Sequence, residues 1–250
     1  MIVDACMVYN ELDMLEARFH ILRDVVDVFV VVEGNQTHSG ADKPLYARDQ
    51  AERFAEFPLQ FVTADLSQCK NNWDREAYQR RCIRDGLDFV KPDDYVIVAD
   101  VDEIPRPEAV SLVAEKNIPA AKLELDFYYY NVNTRVNQGW AIGMVQWGDG
   151  YDPNAIRAMR THTNAHHIPD AGWHFSYFGG PSRVKDKLQH FLHHDWVKPH
   201  MLADDYLQAA IERGADLWDR DNVQLTHTET LATLPAHILD NREQYAGWFA

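Results

Sequence analysis

Tyr95-Val96-Ile97-Val98-Ala99-Asp100-Val101-Asp102-Glu103-Ile104-Pro105 runs from an apolar stretch into three carboxylates and a proline. Apolar residues without alternation over 95–99 predict a strand buried on both faces, as in a parallel sheet covered by helices. Pro105 bars simple continuation of the ladder. In extended backbone the side chains at i and i+2 share a side, so Asp100 and Asp102 converge while Val101 faces the protein. Two such carboxylates repel each other unless a cation, a shared proton or a basic partner offsets them. Magnesium and manganese prefer oxygen ligands of this kind. The pattern therefore points to a divalent-cation site at the carboxyl end of a buried strand, with a solvated acidic turn as the plain alternative.

Working outward, residues 2–8 predict a first strand and Asn10 a cap for a helix whose apolar stripe is Leu12, Leu15, Phe19 and Leu22. Residues 27–33 predict a second buried strand, so the unit between them implies parallel pairing and a right-handed crossover. A polar loop, Glu33-Gly34-Asn35-Gln36-Thr37, and then Lys43-Pro44-Leu45 follow. A shorter strand over 59–63 and a helix from Trp73 to about Phe89 lead into the 95–99 strand. Downstream, 108–116 reads as a helix. Residues 122–130 alternate, placing Leu123, Leu125, Phe127 and Tyr129 on one face of a half-exposed strand. From Val132 the pattern breaks into loops and short antiparallel pieces, with 155–160 and 173–178 as the best strands. Gly179-Gly180-Pro181 ends the latter. Helices are expected over 184–194 and 202–213, and a further helix or arm near Pro235. The expectation is one α/β domain over 1–250, with a mixed, mostly parallel Rossmann-like sheet flanked by helices. Residues 1–105 would form a nucleotide-binding half, and 106–250, with antiparallel strands, a part that can hold a second substrate.

The chain carries 24 basic against 39 acidic residues, and a net charge of −15 repels polyanions, which argues against nucleic acid as a partner. A small diphosphate remains compatible, because one cation and a few placed Arg or Lys side chains suffice. No segment approaches the roughly 20 apolar residues of a membrane-spanning helix, and the first residues lack an export-signal pattern. Cys6, Cys69 and Cys82 show no CxxC spacing, which disfavours a disulfide framework or structural zinc and makes cytoplasmic residence the default.

Other groupings are less specific. Arg75, Glu76, Gln79 and Arg80 share adjacent helix faces, as diphosphate ligands or as an ordinary salt-bridged surface. Eight of twelve histidines fall from His162 to His200, yet no HExxH spacing accompanies them. Trp140, Trp147 and Trp173 suit either stacking on a ligand ring or core packing. GxSxG, P-loop and GxGxxG motifs are missing, which removes the usual support for serine hydrolase, P-loop and dinucleotide readings.

Taken in order, Asn10-Glu11-Leu12-Asp13, Val31-Val32-Glu33-Gly34-Asn35 with Thr37, Lys43-Pro44-Leu45, Asp100-Val101-Asp102-Glu103-Ile104-Pro105 and Gly172-Trp173-His174-Phe175-Ser176 resemble glycosyltransferase family 17. The resemblance implies a GT-A-type fold, a nucleoside-diphosphate sugar donor (UDP-sugar first, with N-acetylglucosamine as a candidate sugar) held by a nucleotide-sugar-binding half over 1–105, and inverting transfer to a hydroxyl of a glycan on an acceptor-side half over 106–250, assisted by Mn²⁺ or Mg²⁺. On that basis Asp100 and Asp102 match the metal-binding Asp-x-Asp, and His174 is a further metal ligand or diphosphate contact. Asn10, Glu33, Asn35, Lys43, Arg75, Arg80, Trp173, Lys187 and His193 are expected around the donor.

A carboxylate must take the proton of the attacking hydroxyl. Glu103, which adjoins the metal pair, is the first expectation for that base, with Asp170 and Asp126 behind it. Rival readings are a metal-dependent phosphohydrolase or nucleotidyltransferase using the same carboxylates, and a non-catalytic carbohydrate-binding protein on a transferase scaffold.

Overall fold

The computed structural model describes residues 1–148, 152–161 and 164–249, so His162 lies outside the described residues. Its first half alternates strand and helix: β1 (Ile2–Val8), α1 (Leu12–Leu22), β2 (Val28–Gly34), the short α2 (Tyr46–Asp49), β3 (Leu59–Ala64), α3 (Asn72–Arg81) and β4 (Tyr95–Asp100). The second half comprises β5 (Glu103–Pro105), α4 (Pro107–Glu115), β6 (Ala120–Tyr129), β7 (Thr134–Val136), β8 (Trp140–Gln146), α5 (Pro153–Ala158), β9 (His166–Ser176), α6 (Gly180–His190), α7 (Asp204–Arg213), β10 (Leu225–His227) and α8 (Ala236–Asp240). Among the described residues no helix is long and apolar enough to cross a membrane.

The strands form one ten-stranded sheet in the order β10-β7-β6-β8-β4-β1-β2-β3, with β9 on β6 and β5 on β9. β1 sits between β2 and β4, parallel to both, with Ala5 opposite Val30 and Val98. These largely apolar strands, interrupted in β1 by Asp4, are covered on both faces, which explains their lack of alternation. Phe19 of α1 packs on Phe29, Phe54 and Phe57 at ring distances of 4.5, 5.6 and 5.2 Å. β6 alternates as expected, burying Leu123, Leu125, Phe127 and Tyr129.

The sheet is mixed rather than mostly parallel. β1–β2, β1–β4, β2–β3 and β6–β9 are parallel, whereas β4–β8, β6–β8, β6–β7, β5–β9 and β7–β10 are antiparallel. β8 causes the change: it follows β6 and β7 closely, turns back, and inserts between β6 and β4. A short return connection permits only antiparallel pairing. Segment 155–160, expected as a strand, is the end of helix α5 and the turn after it. The Asp152 side chain accepts from Asn154 N at 2.8 Å and Pro153 opens the first turn, a start signal that outweighs the apolar spacing. Asn10 does not cap α1; Glu11 occupies that position without a side-chain cap, and Asn10 instead donates to Asp186 at 2.9 Å. The helix expected from Trp73 to Phe89 ends at Arg81 and continues only as a tighter turn to Gly86. Residues 191–194, expected as the end of a helix, lie beyond α6.

Two glycines permit close backbone approach. A Cβ at Gly172 would lie 2.3 Å from Ile104 O, so only glycine lets β9 pair there with β5. A Cβ at Gly143 would lie 2.6 Å from Ile156 O, so glycine seats α5 on β8. The first contact brings His174 opposite Glu103, and the second brings α5 over the end of β4.

Candidate active site

The acidic turn is built from beneath. Arg18 of α1 and Asp4 of β1 form a bidentate ion pair at 2.6 Å for each contact, with both side chains completely buried. The remaining Arg18 nitrogen, Nη1, donates to the carbonyls of Glu103 at 2.6 Å, Asp100 at 3.3 Å and Val101 at 3.4 Å. A single cationic fork thus fixes the backbone that carries the three carboxylates.

Above the turn lies a cavity of about 480 Å³ at the carboxyl ends of β1, β2 and β4, the place where open α/β sheets bind ligands. Asp100, Asp102 and Glu103 line it together with Lys43, Arg80, Arg157, Arg160, His174, Lys187 and His193. Asp100 meets Arg80 through Oδ1 and Arg157 through Oδ2, each at 3.1 Å. Asp102 meets Lys187 at 2.8 Å and His174 at 3.7 Å. The carboxyl of Glu103 accepts from Asp100 N at 2.7 Å and from Trp140 Nε1, and lies 3.1 Å from Arg157 Nη1.

Burial opposes ionisation of Asp100, but Arg157 and then Arg80 outweigh it and hold the carboxyl below its usual range. For Asp102, Lys187 and then His174 likewise overcome burial and lower the carboxyl. Glu103 is the reverse case. Burial pushes it up to about 7, with Arg157 opposing and the neighbouring aspartates reinforcing the rise. His174 is pushed down to about 4 by burial against the pull of Asp102, so it is neutral at pH 7. Its ring stacks on Phe127 at 4.5 Å and 13°.

Several buried donors or acceptors here lack a partner, among them Arg80 Nε, Arg157 Nη1, His174 Nδ1 and His193 Nδ1. Arg157 Nη1 attracts Glu103 as a charge, yet their alignment misses a hydrogen bond. Unsatisfied buried polar atoms are few in folded proteins and call for an explanation such as a ligand. Among the described residues no three His, Cys, Asp or Glu side chains gather into a metal-holding group. Magnesium and manganese nevertheless bind through one or two carboxylates completed by water and substrate phosphates. Asp100 and Asp102 are hard oxygen donors on one cavity, but three of their four oxygens meet Arg80, Arg157 and Lys187, so an ion held in that manner would have to displace those cations.

The other expected residues stand elsewhere. Glu33 accepts from Lys43 Nζ at 3.0 Å and from Ala47 N at 3.1 Å, bracing α2. Asn35 joins the ends of β2 and β3 through Asp65 and Leu66 N at 2.8 and 2.9 Å. Arg75 lies against the His38–Gly40 loop, and Trp173 is a core residue under the Arg106 guanidinium. Asn10 is tied to α6 through Asp186. Asp170 and Asp126 line a separate cavity of about 770 Å³, where both face Arg106. Sequence reading missed Arg18, Arg157 and Arg160. Arg18 had a signal, being a charge on the Leu15–Leu22 face of α1; the two others were hidden by the strand expected over 155–160.

Residues 1–246 match glycosyltransferase family 17. Over 120 residues the chain is 34% identical to the beta-1,4-mannosyl-glycoprotein 4-beta-N-acetylglucosaminyltransferase of Homo sapiens and 33% identical to the protein of that name from Rattus norvegicus. Each match covers 44% of this chain and spans only 22% of the relative. An inositol-1-phosphate CTP transferase from T. maritima is similar over 100% of this chain and 97% of its own at 10% identity and a TM-score of 0.33, too slight a likeness to carry an argument. With the family pattern running through nearly every residue, this chain belongs to glycosyltransferase family 17.

Proposed function

We propose that the protein transfers a sugar, N-acetylglucosamine in the first instance, from a UDP-sugar to a hydroxyl of a glycan acceptor with inversion, on a GT-A-type scaffold. The observation that carries this reading is the convergence of Asp100 and Asp102 with Arg80, Arg157 and Lys187 on one cavity at the ends of parallel strands. The names of the relatives support the sugar, and the family supports the reaction class.

Asp100 and Asp102 would hold a divalent cation, with His174 beside them. Such an ion, when bound, would neutralise charge on the leaving diphosphate. Arg157, Arg160 and Lys187 offer charge-assisted hydrogen bonds to the phosphates. Because all three lie beyond residue 105, donor binding on this reading extends from the 1–105 half into 106–250. Glu103 is the proposed base: of the expected carboxylates it alone lines the cavity of the metal pair. Asp100 N–H and Trp140 N–H each occupy one lone pair on its two oxygens, which leaves lone pairs free to accept a proton.

The test is a thermal-shift series with UDP-N-acetylglucosamine and Mn²⁺, with and without chelator, followed by identification of the nucleotide product. Donor at 100 times its Kd should stabilise the fold by about 2.7 kcal/mol. Metal-dependent stabilisation and UDP release are expected. Release of UMP or inorganic phosphate would sink the transferase reading, as would the lack of any shift.

A further inference from the structure

We infer that Trp73, His193 and Trp196 form a sugar-stacking platform at the mouth of the active-site cavity, and that it receives a hexopyranose ring of the acceptor. Trp73 and His193 line the cavity, and Trp196 adjoins both. Trp73 is 49% exposed and Trp196 61% exposed, the two most exposed tryptophans among the described residues. Large aromatic surfaces left open beside a binding cavity mark contact sites more often than accidents of packing.

The rings are held in place. Asn72, at the start of α3, is buried and donates both to Leu192 O at 2.7 Å and to Asp195 Oδ2 at 2.9 Å. One amide therefore pins the 191–196 turn to the helix that carries Trp73. The imidazole of His193 stacks on Trp196 at 4.4 Å and 27° and meets Trp73 nearly edge-on at 5.1 Å and 73°. His193 Nδ1 is a buried polar atom without a partner, which points to a ligand beside the rings.

Geometry selects the occupant. Trp73 and Trp196 are inclined at 54° with centroids 6.4 Å apart, so they do not form the parallel slot that sandwiches a flat nucleobase. A pyranose ring needs only one flat aromatic face for its C–H groups, and Asp195 and Glu76 beside the platform can accept from its hydroxyls. The charged interior suits the donor phosphates, which leaves the uncharged ring of an acceptor for the lip. This assignment rests on the proposed donor reading of the cavity.

The test is saturation-transfer NMR of the intact protein with methyl hexopyranosides and, separately, with UDP. Wild-type protein should transfer saturation to the hexoside ring protons. Trp196→Ala and Trp73→Ala should weaken hexoside binding roughly tenfold, the scale of losing one aromatic anchor. UDP binding should be unchanged in both, which also shows that the variants are folded. Hexosides that give no signal with wild-type protein, or bind the variants equally well, overturn the proposal. So does selective loss of UDP binding in the variants, since the rings would then stack on the nucleobase. Wild-type self-association abolished by Trp196→Ala would also overturn it, making the rings an interface. If UDP fails to bind while the hexosides still contact these rings, the donor reading fails and the platform stands.

Discussion

Arg18→Met removes the cation that lies beneath the acidic turn while keeping much of the side-chain volume. Asp4 would then be a buried carboxylate without a counter-charge, since both partners are completely buried. Breaking one side of such a pair typically costs about 3–5 kcal/mol. The carbonyl of Glu103 would also lose its 2.6 Å donor, and the weaker contacts to Asp100 and Val101 would go with it. At roughly 2–4 °C per kcal/mol for a chain of this size, the melting point should fall by about 6–20 °C. Adding Asp4→Leu removes the stranded charge, and a buried pair replaced by apolar groups is often neutral, so the double variant should be more stable than Arg18→Met alone. It should nevertheless bind UDP-sugar more weakly than wild type, because nothing restores the grip on the Asp100–Glu103 backbone. Urea unfolding followed by circular dichroism measures the first effect, and ligand-induced thermal shift the second. A loss below about 1 kcal/mol in Arg18→Met, or a double variant less stable than the single, would refute the reasoning.

Asp102→Asn should lower kcat by roughly 10²–10³, the loss seen for one preorganised electrostatic group. Near-normal transfer by that variant would remove Asp102 from the metal pair. Arg157→Lys keeps the charge but not the planar fork that meets both Asp100 and Glu103, so donor affinity should drop while circular dichroism stays the same. Unchanged affinity would mean that a point charge suffices there. His237 stacks on His20 at 4.3 Å, and burial, reinforced by the charge of His20 and opposed by Glu16, holds its pKa below the ordinary 6.5. The unfolded chain therefore binds the proton more readily, so the stability from this group is present above about pH 6.5 and is lost as pH falls below it. His237→Gln should flatten the decline in melting temperature between about pH 7 and 5. An identical pH profile in the variant would exclude His237 as a contributor.

Legibility differed by region. The strands over 2–8, 28–34 and 95–100 were readable because a strand covered on both faces leaves a largely apolar, β-branched run too short for a buried helix. β8 was not, since Trp140, Gly143 and Gln146 dilute its pattern and its place between β4 and β6 depends on partners distant in sequence. The separation of Asp170 from Asp100 follows a similar logic. Asp170 lies in β9, where the register against β6 shifts and its backbone adopts a φ of 49°, and it faces Arg106 on the other cavity.

By itself the sequence determined that a buried strand ends in Asp100, Asp102 and Glu103 within an α/β chain, because local apolar runs and carboxylate spacing need no distant partner to be read. Only the tertiary structure decided which cations meet those carboxylates. Arg80, Arg157 and Lys187, which pair with them, and Arg18, which holds their backbone, come from four helices spread along the chain, and ion pairing falls off so steeply with distance that only the packed fold determines the pairs.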